Sequence, residues 1–297
     1  MMQKKQIKSD IKNINKNQFE NKLKIGIAFG SGGSRGIAHI LMVEALEELG
    51  LKASVVSGSS IGAIGAAFYA AGIDSKEMRE ILDELVHPKS DSIFDFVLRS
   101  DVIKLLTMFD PQFIKSGLIK GEKFQKFLSD RIPAKTFNEL KIPCYITATD
   151  FLSKKEIVFN TGELIPALKA SYSIPGLFTP VEYQDKILID GGAVNPLPYD
   201  LIKDKSDITI AIDVTATNNA DNKGLPATLD SVFSTFQIMQ ISIIREKLKH
   251  LKPDIYIKPQ IKDIRLFDFA KTDLIFAQAL EAKEKLKREL EEHLNKK

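Results

Sequence analysis

The chain has one cysteine, Cys144, in 297 residues. A single thiol excludes an internal disulfide and any zinc site built on clustered cysteines, and it suits a reducing compartment. Histidine is nearly as scarce, at four residues, which narrows the choice of general base for hydrolytic chemistry. No uninterrupted apolar run approaches the ~18–20 residues needed to span a bilayer, and the N-terminal MMQKKQIKSDIKNINKNQFENK has no apolar signal-type core. These absences predict a cytoplasmic chain. An excess of one charge is missing too: 42 Lys and Arg against 39 Asp and Glu leave a net charge of +3, too balanced for a dedicated nucleic-acid binder.

What is present is an ordinary globular composition, 44% hydrophobic and 27% charged, enough to build a core and unlike a disordered or low-complexity chain. Residues 1–22 are the exception. They are rich in Lys, Asn and Gln, offer little apolar surface to offset the entropy of ordering, and read as a flexible basic tail. From residue 23 to 297 the pattern is that of one α/β domain. An apolar strand (LKIGIAF), a glycine-rich turn (GSGGSRG) and an amphipathic helix (IAHILMVEALEELG) are followed at once by a second such unit, ASVVS, GSSIG and IGAIGAAFYAAG. Two adjacent strand–turn–helix units predict a parallel sheet. Further strands are expected at IPCYITATD, EIVFN, KILID, DITIAIDV and DIYIKP, and helices around 75–87, 120–130, 163–171, 228–250 and 270–294. Residues 91–118, with Phe94, Phe96, Phe109 and Phe113, interrupt this rhythm and read as a cap-like insertion able to touch lipid; completion of the core is the competing reading. Residues 215–227 read as a surface loop.

Gly58-Ser59-Ser60-Ile61-Gly62 matches G-x-S-x-G between a predicted strand and a predicted helix. A serine on so tight a turn presents its hydroxyl above the sheet, and small residues are favoured two positions to either side. The other turn, Gly30 to Gly36, fails both common phosphate-binding patterns: Arg35 stands where a dinucleotide fingerprint needs glycine, and no Gly-Lys-Ser/Thr follows. Unhindered N–H groups at a helix start remain suited to a negative oxygen, either a phosphate or the oxyanion of acyl transfer. The base for Ser60 is open at this level. His250 or His293 would satisfy the chain order of an α/β-hydrolase triad, yet neither sits in a short loop after a strand; His39 and His87 precede any acid, and His39 reads as a core residue. Asp190, where an apolar strand runs into Gly191 and Gly192, is the carboxylate alternative, with an ordinary turn as its competing reading.

The four segments GSGGSRGIAH, GSSIG, ASYSIPGLFTPV and DGGAVNPLP, in this order and spacing, resemble the bacterial patatin-like phospholipases, related to plant patatin and to the lipase domain of neuropathy target esterase. The likeness spans about residues 24–213. It implies a three-layer α/β/α sandwich with a mainly parallel central sheet. It also implies a lipid acyl hydrolase of phospholipase A or lysophospholipase type, working through an acyl-enzyme without a metal or cofactor. By resemblance Ser60 is the nucleophile and Asp190 its base, with no histidine; Gly32, Gly33 and Ser34 form the oxyanion hole and Arg35 holds that loop. A phospholipid or lysophospholipid is the implied substrate, with peripheral membrane contact and no nucleic-acid partner. Two alternatives keep Ser60: acyl transfer from the same intermediate, and an α/β-hydrolase esterase with His250 as base.

Overall fold

A computed structural model describes residues 23–87, 121–217 and 228–296. The expected tail, the 91–118 insertion and most of the 215–227 loop lie outside the described residues.

The first half alternates as the sequence suggests: β1 (Ile25–Phe29), α1 (Ala38–Glu48), β2 (Val55–Ser59), α2 (Ile61–Ala71), α3 (Ser75–Val86), α4 (Glu122–Arg131) and β3 (Cys144–Asp150). Then come β4 (Lys155–Phe159), α5 (Leu164–Tyr172), β5 (Val181–Tyr183), β6 (Lys186–Asp190), β7 (Ile208–Ile212), α6 (Thr228–His250), β8 (Ile255–Ile257) and α7 (Thr272–Asn295). All eight strands belong to one sheet, paired in the order β5-β6-β3-β2-β1-β7-β8, with β4 added to β3. The β3-β2-β1-β7-β8 stretch is parallel. The other end is antiparallel, where β4 and β6 pair with β3 and β5 pairs with β6.

Side-chain alternation divides the core between the two faces of the sheet. Ile25, Ile27 and Phe29 of β1 join Val56, Ile146, Ile208 and Ile210 in the larger cluster, which also takes side chains from α1, α2, α3, α4, α5 and α7. The intervening Ala28, Val55 and Ala211 join the smaller cluster on the other face, with Leu197, Tyr199 and Ile202 and with Ile244 of α6. The result is an uneven α/β/α sandwich, thick on the α2 side and closed on the other side by α6 and the turns around residues 195–205.

One detail of register positions the site. Thr147 pairs with both Ser59 of β2 and Val158 of β4, so those two strands flank opposite edges of β3. Ala148 pairs with both Ile157 of β4 and Asp190 of β6. β2 and β6 therefore share one edge of β3 and run toward each other, ending at successive positions. The residue after Ser59 must meet the last residue of β6.

Candidate active site

Ser60 and Asp190 are those two residues. Ser60 Oγ donates to Asp190 Oδ2 at 2.6 Å. Ser60 stands at the junction of β2 and α2 with φ 56 and ψ −125, a conformation that costs a non-glycine residue about 1–3 kcal/mol. Several groups hold it there. Its N–H donates to Ser171 Oγ at 2.9 Å, and its carbonyl accepts from Ala63 N–H at 2.9 Å. The turn has no room for larger flanking residues: a Cβ on Gly58 would lie 2.3 Å from the Gly62 carbonyl oxygen, and one on Gly62 would lie 2.1 Å from that of Phe29. The positive end of α2 faces the serine. The preceding Ser59 hydroxyl, by contrast, is buried without a hydrogen-bond partner.

Every polar atom of Asp190 has a partner. Its N–H donates to the Ser173 carbonyl at 2.9 Å, its carbonyl accepts from Thr149 Oγ1 at 2.8 Å, and Oδ1 accepts from Gly192 N–H at 2.7 Å. The side chain is fully buried. Burial pushes its pKa up to about 7, against the opposing pull of the hydrogen bonds from Ser60 and Gly192. The end of α5 and the residue after it thus serve both partners, Ser171 through its hydroxyl and Ser173 through its carbonyl. ASYSIPGLFTPV was legible as a motif, but these two roles were not.

No histidine joins them. His39 is buried, meets Phe29 edge to face at 5.2 Å and bonds the Gly30 carbonyl through Nε2 at 2.9 Å; burial holds its pKa near 4, so it is neutral. His87, directly after α3, and His250, at the end of α6, are exposed and pair with Asp83 and Glu246, while His293 bonds the Glu289 carbonyl within α7.

The glycine loop lies at the C-terminal end of β1, beside the serine turn. Gly32 packs so closely on β7 and its exit that a Cβ there would come within 2.3 Å of the Val214 carbonyl oxygen. Gly33 has φ +60, and a Cβ would lie 2.2 Å from the Leu266 carbonyl oxygen. Ser34 donates its N–H to Leu266 O at 2.8 Å and its hydroxyl to Arg265 O at 2.7 Å. Ser34, expected beside Gly32 and Gly33 in the oxyanion hole, thus has its N–H bonded to the clamp on this loop. The N–H groups of Gly32 and Gly33 have no acceptor among the described residues. Arg35 is buried and donates through Nε to Val214 O at 3.2 Å and through Nη1 to Ile264 O at 2.8 Å. Burial lowers its pKa to about 10 against the attraction of Asp213 and Asp268, which leaves it a cation at neutral pH.

Ser60 and Gly33 both line one cavity of about 180 Å³, whose walls are otherwise almost entirely apolar. Ile64 and Phe68 come from α2, Met78 and Ile81 from α3, Phe124 from α4, and Phe267 from the segment before α7. Among the described residues no group of three or more His, Cys, Asp or Glu is arranged to hold a metal ion, and no helix is long and apolar enough to cross a membrane.

Comparison with known proteins adds context. A mycobacterial relative, an uncharacterized NTE family protein of Mycobacterium tuberculosis, is 34% identical over 190 residues, covering 64% of this chain and 48% of that protein. Lysophospholipase NTE1 of Saccharomyces cerevisiae is 24% identical over 276 residues, covering 85% of this chain and 16% of that protein. The chain thus spans about half the length of the first relative and a smaller part of the second. Among solved structures, VipD from Legionella pneumophila aligns with a TM-score of 0.48 at 14% identity, covering 89% of this chain and 67% of that one. The model of the patatin-like phospholipase family matches residues 27–202, more than half of the chain and all of the Ser60, Asp190 and glycine-loop segments. By that match the chain belongs to the patatin-like phospholipase family.

Proposed function

We propose that the protein is a lipid acyl hydrolase, of phospholipase A or lysophospholipase type, that cleaves fatty-acyl esters through a Ser60–Asp190 dyad. The observation that carries this reading is the 2.6 Å hydrogen bond from Ser60 Oγ to a fully buried carboxylate, at the wall of an apolar cavity. In the reaction Ser60 Oγ attacks the ester carbonyl carbon while Asp190 takes the hydroxyl proton. The carbonyl oxygen becomes an oxyanion held by the N–H groups of Gly32 and Gly33. Collapse expels the alcohol, which leaves with the proton from Asp190, and the acyl chain stays on Ser60 in the cavity. Water, deprotonated by Asp190, then releases the fatty acid.

An ordinary aspartate is a weak base at neutral pH. A pKa near 7 brings Asp190 to the working range of a general base, and the apolar burial that raises it also excludes competing water. A cytoplasmic location and peripheral contact with a membrane belong to the same reading.

The test is labelling with a fluorophosphonate probe followed by peptide mapping. Modification confined to Ser60, with fatty acid released from a phospholipid or lysophospholipid, is the expected result. Labelling at another serine overturns the assignment, and acyl product formed only when an alcohol acceptor is supplied replaces hydrolysis with acyl transfer.

A further inference from the structure

The sequence from Ser231 to Ile244, SVFSTFQIMQISII, contains no charged residue, although it lies in a helix with one side open to solvent. Amphipathic helices of soluble proteins place charged residues on that side. Here the outward flank of α6 carries Val232, Ile238 and Met239, exposed by 55%, 61% and 54%. After this stretch come Arg245, Glu246, Lys247 and Lys249, with Lys247 paired to Asp200 and Lys249 to Glu246.

The buried flank of the same helix stretch leans on the active site at two points. Gln240 is buried with its Nε2 only 2.2 Å from where a Cβ on Gly192 would be, and Asp190 Oδ1 lies 2.9 Å from the same point. Phe233 packs edge to face on Phe267 at 5.2 Å, and Phe267 lines the cavity. Phe233 also shares a small apolar cluster with Ile174 and Leu177, two further cavity-lining residues. Phe233 thus ties the α6 stretch that carries the exposed side chains to the cavity wall.

We propose that this flank of α6 is the surface on which the protein seats itself on a lipid bilayer, with Val232, Ile238 and Met239 entering the headgroup–acyl boundary. Three half-exposed side chains amount to roughly 300 Å², the size of a functional surface patch and well short of the ~800 Å² per partner of a stable protein interface. An uncharged helical stretch with half-exposed apolar side chains, and with its charges held back to Arg245 and beyond, has the composition of an interfacial helix. Phe233, packed on the cavity-lining Phe267, sets this surface beside the cavity wall. Only the choice of a lipid as occupant rests on the hydrolase reading.

The experiment is co-sedimentation with phosphatidylcholine vesicles containing phosphatidylglycerol, using the full chain carrying Ser60→Ala so that binding is measured without turnover. Adding Ile238→Ser and Met239→Ser should lower partitioning about tenfold or more, since each buried apolar side chain of this size contributes substantially. In the active chain the same pair should leave melting temperature and hydrolysis of a water-soluble short-chain ester unchanged. Leu274→Ser with Leu280→Ser, two exposed leucines on α7, is the control and should leave partitioning as it is. Equal partitioning with and without the α6 substitutions, or an equal loss in the α7 control, overturns the proposal. So does a wild-type dimer that the α6 substitutions dissociate, because the flank would then bind a second copy of the chain. If no ester is cleaved by the wild type while the α6 variant still loses vesicle binding, the hydrolase reading fails and the lipid-seating surface stands.

Discussion

Two strand–turn–helix units stand side by side on β1 and β2, and each contains one residue at positive φ, Gly33 at +60 and Ser60 at 56. They are held in different ways. The serine turn is braced by Ser171 of α5, by Ala63 and by the close packing of its own glycines, all within the span of the family match. The start of the glycine turn is held by the carbonyls of Ile212 and Pro196, and the rest by those of Val214, Ile264, Arg265 and Leu266, these four beyond residue 202, where the family match ends. A side-chain nucleophile needs its backbone fixed and its hydroxyl met by one partner. Backbone N–H groups can be aimed only by moving the whole chain, so the loop that carries them is clamped from outside.

Substitutions at the two turns break this comparison in order of expected effect. Ser60→Ala should abolish ester hydrolysis and fluorophosphonate labelling with the fold intact. Ser60→Gly should be equally inactive and more stable than the alanine variant, because glycine adopts this φ at little cost; a glycine variant that melts lower than the alanine one would show that the turn is not strained. Asp190→Asn should cost about 10²–10⁴-fold in kcat.

Asp190 also links activity and stability to pH. With a folded pKa near 7 against an ordinary value near 3.9, the unfolded chain releases this proton first as pH rises. Stability attributable to this group is therefore complete below about pH 4 and falls between about pH 4 and 7, while activity rises toward and through pH 7 as the base ionises. Thermal melting of wild type and Asp190→Asn across this range checks the sign: the asparagine variant should gain on the wild type as pH increases. An unchanged difference between the two would mean that the buried carboxylate is not the source of the slope.

On the other turn, Gly33→Ala forces a Cβ against Leu266 and should lower kcat about 10²–10³-fold, the usual cost of losing an oxyanion donor, together with a reduced melting temperature. Ser34→Ala removes one hydroxyl bond to the clamp, worth about 0.5–1.5 kcal/mol, and should cost stability more than chemistry. Smallest of all, His250→Ala and His293→Ala should leave kcat within about twofold of wild type; a large loss at His250 would restore the histidine-base alternative.

The same contrast explains what the sequence could and could not reveal. The apolar runs and helical spacing located nearly every long element, and G-x-S-x-G between a strand and a helix marked Ser60. The antiparallel end of the sheet was hidden because strand direction is set by pairing, and KILID reads the same in either direction. β5 has three residues, too few to leave a period. The bond from Ser34 N–H to Leu266 is not legible in the sequence, because its acceptor is a backbone carbonyl that every residue carries. Ser171 and Gln240 were passed over for a related reason: a helical serine or glutamine acquires its role only from the chain packed against it.

The shared edge of β3 has a consequence in time. Ser60 and Asp190 are 130 positions apart in the chain, and they are joined only after β2 and β6 have both docked on the same strand from opposite directions. Closing so long a loop is costly in entropy and follows the formation of local helices. A nascent chain therefore carries an inert serine until the edge of β3 is filled. Arrival of the acid at the serine is in effect a completion signal for this edge of the sheet, and under the proposed dyad a partly folded chain, with its apolar surfaces still open to lipid, is not yet able to cut it.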